Sequence, residues 1–271
     1  MSGEVKASVD RTAFAVVHVP HSSTFIPGDV RLTLSLLDSG LDAELLAMTD
    51  RYTDELFALP AEVAATTVFS VSRLVVDPER FVDDEQEAMT ERGMGVIYTR
   101  TSRGERLRPD PSPEERRILL ERYYHPHHAA LAGAAAAALF AHGRCLIIDA
   151  HSFPSKPLPY EPDQSLSRPD ICIGTDSFHT PRWLAELAVE TFREQNWRVE
   201  VNRPFSGTIV PMEFHGKDAR VISVMIEVNR GLYMDEQTGA KSPDFEGFRR
   251  RLMRALLSLI AQATDRMVGC E

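Results

Sequence analysis

Short apolar runs separated by stretches of helical period dominate the pattern of this chain. Phe14 to Val19, Cys145 to Ile148, Ile171 to Ile173, Trp197 to Val201 and Val221 to Val228 read as strands, because they are apolar, often β-branched and too short for helices. The runs at 145–148 and 221–228 show almost no alternation, as expected of strands buried on both faces in a parallel sheet. Residues 31–59, 113–142, a segment from near Pro181, and 243–265 place apolar side chains at helical spacing. Pro126 predicts a kink or break in the second of these. Residues 63–77 give a further strand-like run that contains Arg73 and ends at Asp77. Residues 82–112 are charged and irregular, with a short strand-like piece, VIYTR. They are too long for an inert connection, so a lid or binding loop is expected. Residues 152–170 form a Pro-rich connection suited to the rim of a site. Strands interleaved with helices predict an α/β fold.

The chemistry sits at strand ends. Gly143 to Ser155 reads GRCLIIDAHSFPS, so Asp149, His151 and Ser152 directly follow a buried apolar run. Open α/β sheets place ligand sites there, and an imidazole can bind a metal or move a proton. The alternative is that Asp149 and His151 only cap the strand and turn. The first strand has the same form: FAVVHV, then Pro20, His21 and Ser22. Val221 to Val228 carries one acid near its end, Glu227. A buried carboxyl either pairs with a base, here Arg230, or does proton work. Asp50 and Asp54 would share a helix face, with Thr49 a possible N-cap, and either carboxylate suits a metal held by two histidines. Arg73, Arg80 and Arg203 are candidate forks for a substrate carboxylate, against local pairing with Asp or Glu. The tract Tyr123-Tyr124-His125-Pro126-His127-His128 resembles a metal patch in composition alone, and no metal is assigned to it.

Bulk properties narrow the options. The 271 residues carry a formal charge of −10, which argues against a nucleic-acid surface. Three widely spaced cysteines give neither a disulfide framework nor a thiolate zinc motif, so a reducing cytoplasm is expected. No secretory leader and no apolar run of about 20 residues is visible, so no membrane partner is expected. Gly-rich phosphate loops are absent, so no nucleotide cofactor is expected. Two histidines and a carboxylate leave an open position on zinc, and a nearby Glu can serve as base.

At this point the chain resembles the N-formylglutamate amidohydrolase (formylglutamate deformylase) family. The likeness lies in VVHVPHSS at 16–23, TDRYTDELF at 49–57, SRLVVDPER at 72–80, LIIDAHSFPS at 146–155, the strand and GTD turn at 170–176, NRPFSGT at 202–208 and IEVNRGLYM at 226–234. Their order and spacing span almost the whole chain. The resemblance implies one hydrolase domain over 1–271. It also implies a three-layer α/β/α fold with a mixed, mostly parallel central sheet, zinc-carboxypeptidase-like (phosphorylase/hydrolase-like). The implied reaction converts the small molecule N-formyl-L-glutamate to formate and L-glutamate. It makes His21, Asp50 (or Asp54) and His151 ligands of one zinc ion per chain, and Glu227 the general base. Arg73, Arg80 and His128 become substrate-binding residues beside Arg203. The family commonly has His-Ser-Gly, Asp-Leu-Asn-Arg and Pro-Tyr-His where this chain has His21-Ser22-Ser23, Asp77-Pro78-Glu79-Arg80 and Pro126-His127-His128. These differences flank the expected substrate pocket. Another N-acyl amino acid or a peptide C-terminus is therefore a rival substrate, and a non-catalytic binder of an acidic metabolite a rival function. Oligomeric state is left open.

Overall fold

The computed structural model describes residues 12–268. Among these residues the strands are β1 (Ala15–Val19), β2 (Ala64–Val68), β3 (Cys145–Phe153), β4 (Ile171–Gly174), β5 (Val199–Val201) and β6 (Val221–Asn229). The helices are α1 (Gly28–Arg31), α2 (Asp38–Met48), α3 (Thr53–Leu56), α4 (Pro113–Leu119), α5 (His125–His142), α6 (Arg182–Arg193) and α7 (Phe245–Val268). The sheet order is β2-β1-β3-β6-β4-β5. All neighbouring pairs are parallel except β4 with β6, so the sheet is mixed and mostly parallel, as expected.

Alternation along the strands divides the core between two faces. Ala15, Val17, Leu146, Ile148, Val224 and Ile226 pack with Leu187, Leu252 and Leu256, covered by α6 and α7. Val16, Cys145, Ile147 and Val221 face the other way, onto Leu131, Ala135 and Ala138 of α5. Helices on both faces of the sheet make the three-layer α/β/α arrangement.

Several local expectations change. The strand ending at Ile148 in the sequence reading runs on to Phe153, because β6 pairs with it along its whole length. Asp149 and His151 are therefore strand residues on the α5 face, and the apolar count alone stopped too early. Residues 31–59 are three short helices rather than one. Thr49 ends α2 instead of capping a new helix, and Asp50 lies in the turn that follows. The run at 63–77 leaves the sheet after Val68. VIYTR is not a named strand: its backbone closes on Gly93 (φ +70°), to which the Thr99 and Arg100 amides donate. A Cβ at Gly93 would stand 2.4 Å from the Arg100 side chain, so this turn requires glycine.

The excursion at 82–112 is anchored rather than loose. Val96 and Ile97 pack with Phe69, Val75 and Leu120, while Met94, Tyr98 and Leu107 pack with Met48 and Leu74. Pro126 is absorbed by a π-helical turn at Leu120–Tyr124, which separates α4 from α5 and leaves the proline in the first turn of α5, where no amide is needed. The Pro-rich loop is pinned by the buried pair Arg168–Glu161 and by Arg168 donating to the Pro154 carbonyl at 3.0 Å. No helix of the described residues is long and apolar enough to cross a membrane.

Leu131 is the largest of the fully buried side chains that join α5 to the sheet, beside Ala135 and Ala138. Leu131→Ala should lower unfolding stability by about 2–5 kcal/mol in urea titration. A loss under about 1 kcal/mol would show that this layer does not hold the sheet.

Candidate active site

The sheet register assembles the site. His18 on β1 lies opposite Asp149 on β3, and His151 opposite Glu227 on β6. All four residues share the face that carries Val16, Ile147 and Val221, because they alternate in step with them. His21 follows the end of β1. Asp50 is brought against it by its own backbone N–H, which donates to the His21 carbonyl at 2.9 Å.

His21, Asp50 and His151 are buried, and one ligand-type atom from each lies within 4.8 Å of the others. His151 Nδ1 is 3.3 Å and His21 Nδ1 3.6 Å from Asp50 Oδ2. The far nitrogen of each ring is held by a buried carboxylate. His21 Nε2 donates to Asp77 Oδ1 at 2.9 Å and His151 Nε2 to Asp149 Oδ1 at 3.0 Å. Both Nδ1 atoms are thus turned toward Asp50. The other Asp50 oxygen accepts from Arg230 at 2.7 Å, and Arg230 also donates to the Ala47 carbonyl at 2.6 Å and to Ser152 Oγ at 3.1 Å. Asp54, the other carboxylate considered, is exposed and outside this group.

The donor set fits a divalent metal such as zinc. Two imidazole nitrogens and one carboxylate oxygen converge, and His21 Nδ1 is a buried polar atom with no hydrogen-bond partner among the described residues. Orienting a ligating imidazole through its other nitrogen is what carboxylates do around metal centres.

The electrostatics follow from burial and pairing. Burial alone would raise the Asp50 and Asp77 carboxyls. For Asp50, the hydrogen bond from His151, the nearby His21 imidazole and the Arg230 charge outweigh it; for Asp77, the Arg73 charge and His21 do so, and both sit well below the usual range. Burial would lower the His151 imidazole, but the Asp149 charge and hydrogen bond, with Asp50, hold it well above its usual value. For Glu227 burial outweighs the nearby His151 and Arg230 charges. Its Oε2 is buried without a partner among the described residues, and desolvation pushes its proton affinity up to about 8. Arg230, the expected alternative partner, is spent on Asp50 instead.

His21, Asp50, His151 and Glu227 line a cleft of about 500 Å³ whose walls include Arg73, Arg80, His128, Tyr160, Arg230 and the segment Phe205–Val210. Arg73 is committed to Asp77 (2.8 Å) and to the Tyr98 hydroxyl (3.2 Å). Arg80 is held more loosely, 3.7 Å from Asp77 and 4.0 Å from Glu87, and its buried Nε has no hydrogen-bond partner among the described residues. His128 donates to the Pro78 carbonyl at 2.9 Å and stacks on Tyr124. Arg203 is not brought to the cleft: it pairs with Asp163 at 3.1 Å and Glu200 at 2.8 Å near the surface. Of the histidine tract, His127 turns inward to His18, His128 reaches the cleft and His125 is exposed. Sequence reasoning gave no site role to Asp77, His18 or Arg230. Their signals were an Asp flanked by two arginines, a His three residues before another, and an Arg three residues after Glu227.

Fold and site together define a class: a three-layer α/β/α protein with a buried histidine–carboxylate centre in a cleft. A sequence model of the N-formylglutamate amidohydrolases matches residues 14–234. The chain belongs to that family, whose members are hydrolases acting on an amide. Its structure resembles that of a crystallised N-formylglutamate amidohydrolase from Ralstonia eutropha, with 25% identity, TM-score 0.77, and coverage of 94% of this chain and 95% of that one. The fold is also shared by a gene product of Agrobacterium tumefaciens at 20% identity and TM-score 0.65, covering 95% of this chain and 91% of that one. No curated protein matches this chain in sequence.

Arg230 leaves no substitute for itself beside Asp50. Arg230→Met in metal-free protein should cost about 3–5 kcal/mol in thermal or urea unfolding, as breaking one side of a buried ion pair does. A cost under about 1 kcal/mol would show that Asp50 does not rely on it.

Proposed function

We propose that this chain is a zinc-dependent amidohydrolase that cleaves N-formyl-L-glutamate to formate and L-glutamate. The reading rests on one observation above others: two inward-turned Nδ1 atoms and Asp50 Oδ2 converge beside Glu227, a carboxyl with an unpartnered oxygen. His21, Asp50 and His151 would hold a single zinc ion with a coordination position to spare. When bound, the ion supplies Lewis acidity to a carbonyl and makes a water more acidic. Glu227 is the general base. It takes a proton from the attacking water and delivers it to the departing amine as the formyl C–N bond breaks. Its unpartnered Oε2 leaves it free to accept and return a proton.

Arg80 binds a substrate carboxylate, because its guanidinium is the least committed in the cleft. Arg73 adds positive potential from behind its pairing with Asp77. His128, fixed by Pro78 and Tyr124, shapes the wall. The same pairing supports a second reading. With Arg73 committed to Asp77 and Arg230 to Asp50, one loosely paired arginine matches an N-acyl amino acid carrying a single carboxylate.

Purified protein should carry about one zinc per chain and release formate from N-formyl-L-glutamate until a chelator is added. Glu227→Gln should keep the metal while kcat falls by about 10² or more. His151→Ala should lose the metal. Zinc without release of formate from this substrate, but with hydrolysis of N-formyl derivatives of neutral amino acids, selects the second reading. Unchanged turnover in Glu227→Gln removes that residue from the chemistry.

A further inference from the structure

Asp149 is fully buried and does not line the cleft, yet three N–H groups from three parts of the chain converge on it. His151 Nε2 on its own strand and His18 Nδ1 on β1 both donate to Oδ1 at 3.0 Å. The backbone N–H of Ile209 donates to Oδ2 at 2.9 Å. Ile209 lies in the segment Phe205–Val210, which forms one wall of the cleft. His18 has no freedom of its own: its Nε2 is 2.8 Å from His127 Nε2 on α5, so its Nδ1 edge is the one presented to Asp149. An aspartate that merely satisfied loop amides would not spend one oxygen on two imidazoles from adjacent strands.

We propose that Asp149 is the positioning residue of His151: it fixes which nitrogen of that ring faces the metal, ties the ring to the cleft wall at Ile209, and is itself held by His18. This rests on the assignment of His151 as a metal ligand. By accepting from Nε2, Asp149 keeps a proton on that nitrogen and turns Nδ1 toward Asp50 Oδ2, its 3.3 Å partner here, where it would ligate. The substitution Asp149→Asn is diagnostic because an amide cannot accept on both sides. With its oxygen toward the imidazoles, its NH₂ meets the Ile209 N–H, donor against donor. Turned round, its NH₂ faces His151 Nε2 and makes that nitrogen the acceptor, which moves the ring proton to Nδ1 and blocks the ligand position.

The test is zinc affinity, measured on metal-free full-length protein by competition with a chelator of known affinity, alongside circular dichroism. Asp149→Asn should bind zinc about 10–100-fold more weakly than wild type, with its secondary structure intact. His18→Phe should weaken zinc by about tenfold, at the lower end of that range. The double variant should lose less than the product of the two, because both act through one ring. A purely structural Asp149 would lower the melting temperature and leave the zinc affinity of folded protein unchanged, and that result overturns the proposal. If Asp149→Asn does not fold, His18→Phe decides: weakened zinc supports the proposal and unchanged zinc overturns it. Failure of wild type to bind zinc would instead sink the metal assignment on which the proposal rests.

Discussion

The centre depends on a pair of charge-assisted hydrogen bonds at its back. Asp77 holds His21 by Nε2 and Asp149 holds His151 by Nε2, and only then do both Nδ1 atoms face Asp50. An imidazole free to turn about χ2 would present either nitrogen, and a ligand set built on such rings would be a mixture. Asp50 is fixed in the same way by Arg230, which takes one carboxylate oxygen and leaves the other for the centre. Each of these acids is buried, and isolated burial of a carboxylate costs several kcal/mol. Here every cost is met by a base that is also part of the arrangement: Arg73 for Asp77, Arg230 for Asp50, and His151 with His18 for Asp149. Glu227 is the exception, and an acid without its own base among such neighbours is what proton transfer needs.

Parallel pairing of β1, β3 and β6 makes this possible. In-register strands put His18 opposite Asp149 and His151 opposite Glu227, all on the α5 face. A slip of one residue would turn every one of them into the apolar layer beneath α6 and α7. The same alternation that sorts the core therefore sorts the chemistry. The cleft wall is then completed by loops that are themselves packed: the excursion at 82–112 by Val96, Ile97, Met94 and Tyr98, and the Pro-rich segment by Arg168–Glu161.

Much of this was legible in the chain. The strands at 14–19, 145–148 and 221–228 stood out as apolar runs, and His21, His151 and Glu227 stood out because polar groups at the ends of such runs need a reason. Asp50 was recognisable as one of two apt carboxylates, and only family likeness favoured it over Asp54, since a helical period hid the turn that carries it. What stayed hidden depended on long-range geometry. Asp149 and His18 are separated by 131 positions, and nothing local marks them as neighbours. Arg230 seemed the natural partner of Glu227 because it is near in sequence, but a strand residue and the 3₁₀ turn after it point apart, and Arg230 reaches across to Asp50, 180 positions away. Arg203 read as a substrate fork for want of a visible partner, while Asp163 and Glu200 claim it near the surface.

The described residues hold two neighbouring groups of metal-ligating type, His21-Asp50-His151 and His18-Glu79-Asp149. The account assigns the metal to the first and a positioning task to His18 and Asp149 of the second. A crystal of the protein loaded with zinc, measured at the zinc absorption edge, separates these directly. The account predicts one anomalous peak about 2.0–2.1 Å from Nδ1 of both His21 and His151 and next to Asp50 Oδ2. A peak lodged among His18, Glu79 and Asp149, with His21 left unligated, would contradict it.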